Sequence, residues 1–116
     1  LGGKVRKGHL YLAGAMTLDA MSKLYADKAF LSCDGFHQDR GFTVEHDFSV
    51  TIKQAYIANS RQSIMMLDSS KLGRTSFYRF STMEDFDCVI TDADPDGYLA
   101  QSVERTKHAP QLVIAS

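Results

Sequence analysis

The chain has 116 residues, 44% hydrophobic and 23% charged, which fits one globular domain with enough material for its own core. With 13 basic against 14 acidic residues and a net charge of −1, it lacks the cationic excess by which a domain grips nucleic acid unaided. Two cysteines are too few for a disulfide framework, and no run approaches the roughly 20 apolar residues of a membrane span.

Taken in order, the chain opens on Leu1-Gly2-Gly3 with neither Met nor a targeting segment, as a piece cut from a longer protein would. Residues 10–13 predict a short strand, and Leu18, Met21, Leu24 and Tyr25 then fall at helical spacing. Ala29-Phe30-Leu31 predicts a second strand, followed by a polar loop from His37 to Gly41. Asp47 is the expected N-cap of a helix carrying Phe48, Ile52, Ala55 and Tyr56 on one face. Strands are expected over 63–67, 88–91 and 112–114, with a short extended piece over 77–80. Asp94-Pro95 predicts a helix start, a capping carboxylate before a proline at the first helical position, with Tyr98, Leu99 and Val103 facing inward. Strands alternating with helices predict an α/β fold, a mostly parallel sheet with helices on both faces. Cys33 and Cys88 sit in apolar contexts and read as buried free thiols of a cytoplasmic protein.

Three strands end in polar turns: Ser32-Cys33-Asp34-Gly35, Asp68-Ser69-Ser70-Lys71 and Thr91-Asp92-Ala93-Asp94. A parallel sheet brings such ends to one edge, so Asp34, Asp68, Lys71 and Asp92 are expected on a shared rim, where open α/β sheets bind ligands. Two readings stand. Asp, Ser and Gly are turn formers, and rims need turns. Alternatively a small polar ligand is gripped by Lys71, loop amides and hydroxyls, with Gly35 and Gly41 allowing close backbone approach.

Five short segments resemble, in order, the effector-sensing domain of DeoR-type bacterial transcription regulators. They are Leu1-Gly2-Gly3, the run from Asp27 to Phe36, Gly41-Phe42-Thr43, Asp68-Ser69-Ser70-Lys71 and Ile90-Thr91-Asp92. Lys53 falls where the next helix of the family carries a lysine. The resemblance implies a Rossmann-like sensor, similar in fold to ribose-5-phosphate isomerase, that binds a phosphorylated sugar or related metabolite and controls DNA binding in a repressor of sugar catabolism. The implied effector-binding residues are Asp34, Gly35, His37, Gly41, Thr43, Lys53, Asp68, Ser70 and Lys71. Operator DNA would be contacted only through an N-terminal winged helix outside this sequence, in a homo-oligomer, with no cofactor and no membrane. The front of the sensor, with its Gly-Thr-Thr phosphate loop, is also expected to lie outside the sequence. Ser32 stands where the family usually has glycine, which adds a side chain near the ligand path.

The alternatives are an isomerase-like enzyme and a metal or thiol site. An isomerase needs a carboxylate base at the start of the helix, yet residues 48–53 contain no acid and Glu45 and Asp47 lie just before them. Cys33, His37 and His46 match no zinc spacing, and His37 reads as ligand-contacting or simply exposed. Asp68 alternatively caps its own turn, and Lys53 alternatively lies on a solvated helix face.

Overall fold

The structure, a computed structural model, describes residues 25–115. The strand expected over 10–13 and most of the helix expected after it lie outside the described residues. In chain order the elements are β1 (Ala26–Leu31), β2 (Gly35–His37), β3 (Gly41–Val44), α1 (Asp47–Ala58), β4 (Ser60–Leu67), β5 (Tyr78–Ser81), β6 (Cys88–Thr91), α2 (Tyr98–Glu104) and β7 (Gln111–Ile114). Single 3-10 turns occupy Ser69–Lys71, Met83–Asp85 and Pro95–Gly97.

Two sheets form. One is four-stranded and wholly parallel, in the order β1-β4-β6-β7; the other is three-stranded and antiparallel, in the order β2-β3-β5. Phe30 pairs with Ile64, Met65 with Val89 and Leu67 with Thr91. Because side chains alternate along a strand, Ala29, Leu31, Met65, Leu67 and Val89 share one face of the parallel sheet. That face is the floor of the core. Phe36, Phe42 and Phe80 of the antiparallel sheet cover it, with Met83, Phe86 and Leu99. The rings of Phe36 and Phe42 lie 4.6 Å apart, and Phe86 meets Phe42 edge-on at 5.2 Å. Val50, Tyr56 and Ile57 of α1 and Tyr98 and Val103 of α2 pack against the same cluster.

The α/β class and the parallel sheet agree with the sequence reading. Among the described residues, however, both helices lie on one face of the parallel sheet. On the opposite face Phe30 is 62% and Met66 48% exposed. Strand positions hold, with β1 and β4 each starting three residues earlier than the strands expected from residues 29 and 63. The extended piece expected over 77–80 is β5.

Three local expectations are corrected. The polar loop from His37 to Gly41 is a hairpin, with His37 and Gly41 paired as the last and first strand residues around a 38–40 turn. Its strands have three and four residues, too few to show a period, and they hold because Phe36 and Phe42 are buried. Asp47 is the first residue of α1, and His46 is its N-cap in extended conformation. The Asp94-Pro95 start yields only a 3-10 turn, because Asp96 (φ 58°) and Gly97 (φ 65°) take left-handed conformations that break the helix. Asp94 still caps α2 from a distance, accepting from the amides of Leu99 (2.7 Å) and Ala100 (3.0 Å).

Ser81, on β5, is 5% exposed, and its hydroxyl is the one buried side-chain polar atom without a hydrogen-bond partner among the described residues. A buried group left unpaired carries its desolvation cost uncompensated. Ser81→Ala should therefore raise unfolding stability by about 1 kcal/mol. A higher urea midpoint with an unchanged m-value is the expected result.

Candidate functional site: the strand-end rim

The parallel register brings the ends of β1, β4 and β6 to one edge, as expected. The three aspartates there are each committed to a backbone amide. Asp34 accepts from Glu45 N at 2.8 Å and gives its own amide to Thr43 O at 2.9 Å, which closes the base of the hairpin. Asp68 accepts from the amide of Ser70 (2.9 Å) and also from its hydroxyl, capping the 3-10 turn that ends in Lys71. Asp92 accepts from Ser69 N at 2.7 Å and so bolts the β4 turn to the end of β6. The Ser70 hydroxyl and amide, helped by the charges of Lys71 and Arg74, hold the Asp68 carboxyl below the usual carboxylate range. The turn-forming reading of these acids therefore describes their geometry. The loop amides of Ser69 and Ser70 already have protein acceptors.

The glycines are also used internally. A Cβ on Gly35 would stand 2.7 Å from the Arg74 carbonyl oxygen, so the missing side chain lets the chain after Lys71 cross the hairpin. Gly41, at φ 81°, likewise faces the Ser81 carbonyl oxygen at 2.5 Å. Thr43 is 2% exposed, and its hydroxyl donates to Gly35 O (3.2 Å) and accepts from Ser76 N (2.8 Å). His37 is half-buried, and its Nδ1 accepts from the amide of Asp39 at 3.1 Å.

The cations are placed differently. Lys53 does not lie on a solvated face. It is half-buried, its ammonium donates to Ser32 O at 2.8 Å and lies 5.5 Å over the ring of Phe80. Burial lowers its pKa, opposed by the charges of Cys33 and Asp34. Lys71 is half-buried at the end of its turn, close enough to Cys33 and Asp68 for its charge to act on both. Among the described residues neither ammonium forms an ion pair with a carboxylate. The structure thus joins Asp34, Lys53, Asp68, Ser70 and Lys71 along one rim, and assigns Gly35, Gly41 and Thr43 to the hairpin behind it.

Two cavities that the sequence did not announce open beside the hairpin turn. One, of about 410 Å³, is lined by Asp39, Arg40, Thr43, Thr75, Ser76, Phe77 and Arg79. The other, of about 310 Å³, shares Asp39, Arg40 and Arg79 and adds Arg105 of the chain after α2. Neither wall includes Lys53, Asp68 or Lys71. Their arginines are far apart in sequence, so no motif points to them.

Among the described residues no group of three or more His, Cys, Asp or Glu side chains is placed to hold a metal ion. Both cysteines are free, Cys33 buried and Cys88 half-buried. Burial pushes the Cys33 thiol up to about 12, more than the charges of Lys53 and Lys71 draw it down. At pH 8 the thiol there therefore stays protonated and unreactive. Iodoacetamide at pH 8 should leave Cys33 unmodified in the folded chain and label it once the chain is denatured. Peptide mass analysis reads both states.

The comparisons with known proteins agree with one another. The family model described as "DeoR C terminal sensor domain" matches residues 1–93. The chain is 33% identical over 105 residues to the HTH-type transcriptional repressor GlcR of Bacillus subtilis (strain 168), covering 90% of this chain and 40% of that protein. It is 34% identical over 112 residues to the glycerol-3-phosphate regulon repressor of Escherichia coli (strain K12), covering 96% of this chain and 43% of that protein. The chain thus spans about two fifths of the length of these curated relatives. No helix among the described residues is long and apolar enough to cross a membrane. The family model covers residues 1–93 of the 116, and the relatives match over nine tenths of the chain: the chain belongs to the DeoR C-terminal sensor domain family.

Proposed function

We propose that the rim holds a phosphorylated sugar or a related metabolite, and that its occupancy sets DNA binding by a longer regulator of which this chain is part. The observation that carries this reading is the imbalance of partners on the rim. Its three carboxylates are committed to amides, whereas the ammonium groups of Lys53 and Lys71 form no ion pair with a carboxylate among the described residues. Lysine meets phosphate as a point charge, and Lys71 sits at the lip of its turn. Lys53, half-buried, supplies a second and less hydrated cation. Among the described residues Asp34 and Asp68 each keep a carboxylate oxygen with no recorded partner, which would orient sugar hydroxyls. The name of one relative, a glycerol-3-phosphate regulon repressor, supports a small phosphorylated effector.

In this reading the sensor is Rossmann-like, with further strands and helices covering the face where Phe30 and Met66 are exposed. DNA contact belongs to a winged helix outside the sequence, the assembly is a homo-oligomer, and the protein works in the cytoplasm. A ligand shifts such a switch only by its differential affinity for the two states.

A thermal-shift screen of the chain against phosphorylated sugars tests the proposal. An effector at 100 times its dissociation constant adds about 2.7 kcal/mol of stability. At least one sugar phosphate should raise the melting temperature, and Lys71→Ala should abolish the shift. A flat response, both from this chain and from one extended at its front, would overturn the proposal.

A further inference from the structure

The two cavities beside the hairpin turn share two arginines, Arg40 and Arg79, whose guanidinium groups have no hydrogen-bond or ion-pair partner among the described residues. Arg40 stands in the exposed turn between β2 and β3, and Arg79 stands on β5; both line both cavities. An ideal Cβ on Gly41 would lie 3.4 Å from Cδ of Arg79, an ordinary van der Waals contact, so the stem of Arg79 passes beside Gly41. Arg105 joins the smaller cavity and donates to Gln38 Oε1 at 3.4 Å. The larger cavity has two arginines, Arg40 and Arg79, and one acid, Asp39, in its lining; the smaller adds Arg105 and Glu84.

A second observation lies on the larger cavity. Phe77 is 84% exposed and lines the cavity with Thr75 and Ser76. A forked guanidinium takes phosphate or carboxylate oxygens in pairs, which a lysine does not. An exposed aromatic face beside such a fork offers stacking to a flat ring. The volume, about 410 Å³, suits a small molecule.

We propose that this cavity binds a small phosphorylated molecule bearing a flat ring, a nucleotide by chemical class, with its phosphate between Arg40 and Arg79 and its ring on Phe77. The site is separate from the rim and does not rest on the proposed sugar-phosphate function.

Calorimetric titration of the whole chain with AMP, and separately with inorganic phosphate, tests it. AMP should bind more tightly than phosphate. Arg40→Gln, Arg79→Gln and Phe77→Ala should each weaken AMP binding by at least about tenfold, with far-ultraviolet circular dichroism unchanged. Arg40 lies in an exposed turn, so its variant keeps the fold and tests the site even if an Arg79 variant misfolds. Three results would overturn the proposal: no heat from AMP at millimolar concentration, equal affinity for the two probes, or AMP binding that survives both arginine changes. A sugar-phosphate shift dependent on Lys71 would stand in any of these cases, so the two sites fail separately.

Discussion

The parallel order β1-β4-β6-β7 is the constraint from which the rest follows. The chain steps across this sheet in one direction only. Parallel neighbours need crossovers, and crossovers are right-handed, so every connection in a one-way sheet passes over the same face. The first crossover carries the hairpin and α1, the second carries β5, and the third carries α2. All three therefore crowd onto the face of Leu31, Met65 and Val89, where they find one another. The antiparallel sheet is the result, since β3 from the first crossover pairs with β5 from the second. The core is the space between that sheet and its parallel floor. Deep burial of Phe36 and Phe42 is thus a property of topology as much as of hydrophobicity.

The same constraint makes the rim and sets its chemistry. Strand ends arriving side by side bring several orphan amides together, and each needs an acceptor. Asp34, Asp68 and Asp92 meet that need, and two of them reach across to a neighbouring segment. The acids hold the edge in shape. Lys53 shows the same constraint at work. Its helix is part of the first crossover, so a residue in the middle of α1 is carried to the end of β1, where the Ser32 carbonyl meets its ammonium.

Much of this was legible in the residues. Apolar runs such as Cys88-Val89-Ile90-Thr91 marked the strands, and polar endings marked the edge to which they deliver. The family resemblance singled out Lys53, which a mid-helix position alone would leave on a solvated face, and the structure brings its ammonium to the Ser32 carbonyl. The hairpin was not legible, because three residues of strand leave no pattern and Gly35 and Gly41 look like loop formers. Their need for glycine comes from the carbonyls of Arg74 and Ser81, contacts distant in sequence. The helix break at Asp96 was hidden for a different reason. Asp94-Pro95 is a sound start signal, and a non-glycine residue in a left-handed conformation is uncommon enough that sequence gives no warning of it. The arginine-lined cavities depend on convergence of a turn, a strand and a helix end, which only the fold supplies.

The segment after Lys71 is fastened to the hairpin at successive points. Gly73 N donates to Phe36 O at 2.8 Å, the Arg74 carbonyl fills the place of a Gly35 side chain, and Ser76 N donates to the buried hydroxyl of Thr43. Lys71 is at one end of this short tether and Phe77 at the other. The tether runs over a hairpin whose rings are locked into the core, so it has little slack. A displacement at the Lys71 end is taken up at these fastenings or passed along to the Phe77 end, and the rim and the arginine cavities therefore share a mechanical part.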